Sequence, residues 1–196
     1  MKQAFIVVAL LVAIASPAAA QGTTFGARVG VNFANLSLSE NNDVDTSTRT
    51  AIAIGGFATI PINPRFAFQP EILYSQQGAK ANDESSGGTL KIDYVLVPLL
   101  ANIGLSDGPN RVSLLVGPQI GFRTSAKADD DGEEIDIEEN IKSTDFGLVA
   151  GIAANISNFV VDARYAHGLS DINDIGEGDQ KIKNRVFTIS VGFSFR

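Results

Sequence analysis

Apolar and polar residues alternate along most of this chain. From Phe25 the odd positions carry Phe25, Ala27, Val29, Val31 and Phe33, while Gly26, Arg28, Gly30 and Asn32 hold the even ones. A period of two gives a strand with one apolar face and one polar or small face. The C-terminal segment repeats the pattern, with Phe187, Ile189, Val191, Phe193 and Phe195 opposite Thr188, Ser190, Gly192 and Ser194. Further strands are predicted near Thr50 to Ile60, Arg65 to Gln77, Thr89 to Ile103, Arg111 to Ser125, Thr144 to Ile156 and Phe159 to Gly168. That makes about eight, the smallest number common in bacterial membrane barrels.

The connections alternate in length. Short turns fall at Pro61 to Pro64, Ser106 to Asn110 and Ser157-Asn158; long polar segments fall at Ser37 to Arg49, Ala79 to Gly88, Ala126 to Ser143 and Leu169 to Asn184. Short periplasmic turns and long extracellular loops are the asymmetry of an up-and-down barrel. Strand direction then places Phe25, Phe66, Phe68, Phe159, Phe193 and Phe195 at the periplasmic rim, and Phe33, Tyr74, Phe122, Phe146, Tyr165 and Phe187 at the outer rim. Two aromatic girdles flanking aliphatic residues mark a membrane wall. The expected fold is all-β, an eight-stranded antiparallel transmembrane barrel. Two strands have no clear polar face, Thr50 to Ile60 and Val95 to Ile103, and Pro70, Pro98 and Pro118 imply bulges or weak register points.

With the apolar face toward lipid, the opposite face carries Arg28, Asn32, Gln69, Glu71, Gln119, Arg123, Asp145, Asn155, Asp162 and Arg164. Side chains fill a lumen of this size, so a hydrogen-bonded ionic plug is expected. A narrow path for solute or protons lined by Arg28, Glu71 and Arg164 is the alternative.

Lys2, an apolar run from Ala4 to Ala15 and the small residues Ala18 to Ala20 form a secretory signal peptide. Residues 1–20 are therefore assigned as leader and 21–196 as the barrel domain of an outer-membrane protein. The chain has no cysteine, which removes disulfides and thiolate chemistry. A net charge of -7 argues against nucleic acid and against docking on anionic lipid through a basic patch. Expected partners are outer-membrane lipid and the barrel insertion machinery, with divalent cations or envelope proteins at the acidic loops.

The densest acidic segment, Ala126 to Ser143, holds Asp129, Asp130, Asp131, Glu133, Glu134, Asp136, Glu138 and Glu139. It departs from the EF-hand loop at Lys127, where the first ligand would stand, and reads as a solvated, self-repelling loop. His167, the only histidine, lies near Ser170, Asp171 and Asp174. Those groups suggest a surface lipid hydrolase as a second function class, with His167 activating Ser170. A soluble lipocalin-type barrel is a third. No cofactor motif is present.

The run Gly30 to Leu36, Phe68 to Lys80, Asp93-Tyr94, Val97 to Leu100, Gly117 to Gln119, and Asp162 with Arg164-Tyr165, Gly168-Leu169 and Asp171-Ile172 resembles the PorT-like family of outer-membrane barrels. The resemblance spans nearly the whole chain after residue 20. It implies a Bacteroidetes-type outer-membrane barrel, and the family's named member is associated with protein secretion across the outer membrane; the mixed-charge lumen and the long outer segments point to a non-enzymatic structural or surface-binding role. The resemblance supplies no catalytic residues.

Overall fold

The computed structural model describes residues 22–38, 46–81, 88–106, 108, 110–130, 133–172 and 182–195. The leader assigned to residues 1–20, Asp131 and Asp174 lie outside the described residues. The described chain is almost entirely strand: β1 (Thr24–Leu38), β2 (Thr46–Pro61), β3 (Phe66–Ala81), β4 (Thr89–Gly104), β5 (Asn110–Asp130), β6 (Glu133–Asp136), β7 (Thr144–Ile156), β8 (Phe159–Gly168) and β9 (Ile182–Phe195). A 3-10 turn at Glu138–Asn140 follows β6. Eight strands pair in the order β4-β3-β2-β1-β9-β8-β7-β5, and pairing of β4 with β5 closes the cylinder. First and last strands lie side by side, from Phe25 opposite Phe195 to Leu38 opposite Ile182.

The alternation fixes which way each side chain points, because one face must meet acyl chains and the other must be enclosed. Phe25, Val29, Val31, Phe33, Phe187, Ile189, Val191, Phe193 and Phe195 all face outward, between 38% and 55% exposed. They do not converge on a dry centre, as they would in a soluble barrel. Phe33 and Phe187 meet at 6.3 Å near the outer rim, and Phe159 meets Phe193 edge-on at 5.5 Å near the inner one. The two girdles stand where strand counting puts them.

Three features differ from the sequence reading. Register is constant on either side of Pro70, Pro98 and Pro118. Each proline removes one donor, but the pairs above and below hold the alignment. The shifts fall elsewhere, between Thr48 and Ala53 of β2, across from Gly78, and between Asp93 and Tyr94 of β4. Second, β5 runs 21 residues, about twice what a tilted membrane strand requires. Its upper part pairs with β4 on one side and β6 on the other, so the acidic segment is a built hairpin standing above the membrane. The apolar alternation ends at the headgroups while backbone pairing continues, which is why the pattern stopped short. Third, the lumen face of β4 is largely apolar, with Tyr94, Leu96 and Leu100 buried inside. That explains why both of its faces looked greasy.

Candidate functional site

The enclosed face of the barrel is layered. In its lower half Arg28 of β1, Glu71 of β3, and Asp162 and Arg164 of β8 form an alternating ring of four charges. Arg164 holds Glu71 with two hydrogen bonds, Nη1 to Oε2 at 2.7 Å and Nη2 to Oε1 at 3.1 Å, and its Nε lies 2.6 Å from Asp162 Oδ1. Arg28 closes the circuit, donating to Asp162 Oδ2 at 2.9 Å and standing 3.6 Å from Glu71 Oε1. All four are buried. The ring is formally neutral, and each cation touches both anions, which is the arrangement that offsets desolvation of buried charge.

Neighbours add hydrogen bonds to the ring, although Arg28 Nε and Nη2, Asp162 Oδ1 and Arg164 Nε are held by charge alone, without a hydrogen bond among the described residues. Gln69 donates to Glu71 at 2.7 Å and accepts from Asn102 at 2.8 Å, while Ser190 donates to Asp162 at 2.8 Å. Phe57 of β2 points inward, and the Arg28 guanidinium lies 4.6 Å from its ring centroid. Below and beside these charges Phe57, Leu100, Leu115, Val149, Ala153 and Val160 form an apolar layer. Above them is a cavity of about 40 Å³ bordered by Arg28, Asn32, Ser75, Gln119, Arg164 and Thr188. It has room for a few waters and none for an organic solute.

Higher still, Asn32 donates to Ser75 at 2.9 Å and accepts from Thr188 at 2.8 Å. Asp145 takes hydrogen bonds from Asn184 at 2.7 Å and Ser170 at 2.6 Å. Toward the extracellular end lies a second apolar cluster. Ile141 and Ile172 come in from two different connections to pack on Ile92, Tyr94, Leu96 and Ala126, with Leu36, Leu90, Ile137 and Ile182 around them. Backbone bonds pin this cluster: Lys142 N–H to Ile172 C=O and Ile172 N–H to Ile182 C=O, both 2.9 Å.

Of the residues assigned to the interior from the alternation, Arg28, Gln69, Glu71, Asp162 and Arg164 share one network. Asn32, Asp145 and Gln119 lie at separate levels above it. Arg123 stands near the mouth, 3.6 Å from Glu138. Tyr94, Asn102 and Asn184 were not anticipated; strict parity carried through β4 and β9 would have found them. Ser170 and His167 do not form a nucleophile and base. The Ser170 hydroxyl donates to Asp145, whereas His167 faces outward and stacks on Tyr165 with centroids 6.4 Å apart. The strand parity that buries Asp162 and Arg164 puts His167 on the other side of the wall.

On the protruding hairpin, Lys91 bridges Asp129 at 2.5 Å and Glu134 at 2.9 Å, and Lys127 reaches Glu134 at 2.7 Å. Among the described residues no group of three acidic or histidine side chains is placed to hold a metal. Hydrogen bonds from Lys127 and then Lys91 hold the Glu134 carboxyl down at about 2. A carboxylate with a depressed pKa stabilises the folded form above its unfolded value and loses that contribution as pH falls through the folded one. Amide exchange protection at Ile135 to Ile137 is therefore expected to persist from neutral pH to about pH 4 and to fade toward pH 2. Loss of protection already near pH 5 would show that the lysine bridges do not order the hairpin.

Comparison with known proteins agrees with this architecture. Neisserial surface protein A superposes with a TM-score of 0.53 at 16% identity, covering 89% of this chain and 100% of that one. The outer membrane protein OprG from Pseudomonas aeruginosa gives 0.54 at 10% identity, covering 89% and 97%. No curated protein matches the sequence. The sequence model of the outer membrane protein beta-barrel domain matches residues 19–174, most of the chain. This chain, with its greasy wall and closed cylinder of eight strands, is an outer-membrane protein and belongs to the outer membrane protein beta-barrel domain family.

Proposed function

We propose that this protein is a non-conducting, non-enzymatic barrel that strengthens the envelope and presents its extracellular segments to partners. The observation that carries this reading is the filling of the lumen at two levels, a neutral ring of four buried charges below and an apolar cluster around Ile141 and Ile172 above. An open pore needs a continuous wetted path, and both barriers would have to part to make one. Export through the leader at residues 1–20 is part of the reading. The PorT-like motifs favour a second role beside secretion machinery, for which the hairpin of β5 and β6 offers a raised contact surface.

Purified protein in planar bilayers is expected to give no steady conductance at moderate voltage. Large, stable single-channel steps would overturn the sealed lumen and favour a solute path past Arg28, Glu71 and Arg164. Crosslinking in the native host tests the secretion role, which falls if no secretion component is captured.

A further inference from the structure

The outward face at the extracellular rim is electrostatically lopsided. On the β4, β5 and β6 side the cations are neutralised, Lys91 and Lys127 by Asp129 and Glu134. Where β8, β9 and β1 meet, no such pairing is present among the described residues. Arg185 of β9 stands opposite His167 of β8 and opposite Asn35 of β1, and Lys183 lies two residues further along the same face. Among the described residues neither Arg185 nor Lys183 has a hydrogen-bonded or ion-pair partner, and Asp171, just past β8, pairs with Lys142. The net charge of -7 is a sum over the chain and conceals this local row.

We propose that this row binds the phosphorylated sugar headgroup of an outer-leaflet glycolipid, with Arg185 as the main anchor and Lys183 and His167 beside it. The inference rests on the barrel standing in the outer membrane. Placement supplies the first argument: Arg185 and Lys183 lie toward the end of β9 that carries the long connections, so they meet the outer leaflet. The second is continuity. Directly below Arg185 on the same face come Phe187, Ile189 and Val191, all exposed, with Phe33 and Tyr165 alongside. A molecule with acyl chains and an anionic head matches both halves of this surface, whereas free phosphate matches only the upper one.

The chemistry fits a phosphate. A guanidinium offers a planar fork of donors, lysine adds a mobile point charge, and an imidazole keeps an N–H donor in either protonation state. The stems of arginine and lysine lie along apolar surface while their heads reach the interface.

The full chain is reconstituted in phosphatidylethanolamine vesicles containing either a bisphosphorylated lipid A or its dephosphorylated form, then extracted in mild detergent, and retained glycolipid is read by native mass spectrometry. The bisphosphorylated form is expected to be retained about tenfold better, and the doubly substituted Arg185→Gln, Lys183→Gln protein is expected to lose about that factor. Lys80→Gln, an exposed cation standing elsewhere on the rim, is expected to change nothing. Excess inorganic phosphate is expected not to displace the lipid. Equal retention by the double variant, an equal loss in Lys80→Gln, or displacement by inorganic phosphate would each overturn the proposal. Heat-modifiable gel mobility confirms that every variant is folded, and the conductance experiment is independent of this one, so either reading can fail alone.

Discussion

Replacing Glu71 by glutamine is expected to destabilise the barrel by about 3–5 kcal/mol, the range found when one partner of a buried ion pair is removed. The variant keeps the shape of the side chain and removes its charge. Arg164 then loses its two-pronged acceptor, and Arg28 keeps only Asp162. One surplus positive charge is left in a lumen that water barely enters. Guanidinium-induced unfolding in phospholipid vesicles measures the loss. The double variant Glu71→Leu, Arg164→Leu removes one charge of each sign and leaves Arg28 paired with Asp162. It is expected to be more stable than the single variant by roughly 1–3 kcal/mol, since contacting residues are not additive. A single-variant loss below about 1 kcal/mol would mean the ring is solvated, contrary to its burial.

The second large effect is expected at Gly78, where β3 lies opposite the register shift in β2. Its φ of +122 is open to glycine and costly for other residues, and an added Cβ would overlap the Leu90 carbonyl of the neighbouring strand. Arg49 bonds the adjacent Gln77 carbonyl, so the backbone here is held on both sides. Gly78→Ala is expected to cost about 2–4 kcal/mol, backbone strain and overlap together. Gly108 provides the comparison. It too has a left-handed φ, +110, but among the described residues nothing lies within 4 Å of its would-be Cβ. Gly108→Ala is expected to cost only the conformational part, about 1–2 kcal/mol. Equal losses at the two sites would show that the overlap at Gly78 relaxes without cost.

Much of the architecture could be read from the chain because a membrane wall enforces strict parity. Each of Phe25, Val29 and Val31 must face lipid, so Arg28 must face in, and the ring partners Glu71, Asp162 and Arg164 follow by the same rule. Parity does not say which enclosed residues touch. Gln119 and Arg123 share the lumen face of β5 with Ser113 and Leu115, yet Gln119 borders the cavity while Arg123 reaches Glu138 and Leu115 joins the lower apolar layer. Their levels depend on how neighbouring strands are offset, and the bulge between Asp93 and Tyr94 changes that offset without a clear mark in the sequence. Proline drew attention to the wrong places, because a missing donor interrupts one rung and leaves the alignment intact.

By itself the sequence determined the number of barrel strands, the direction of each, the two girdles and the sign of every charge in the lumen. These follow from local alternation and from loop length, which act over a few residues. Only the tertiary structure decided that four of those charges close a ring, that Ile141 and Ile172 join one apolar cluster above it, that Ser170 turns to Asp145 while His167 leaves the lumen, and that Arg185 and Lys183 stand without acidic partners among the described residues. Those outcomes depend on side chains far apart in the chain meeting across a closed cylinder, and that distance is fixed by barrel closure, not by any local pattern.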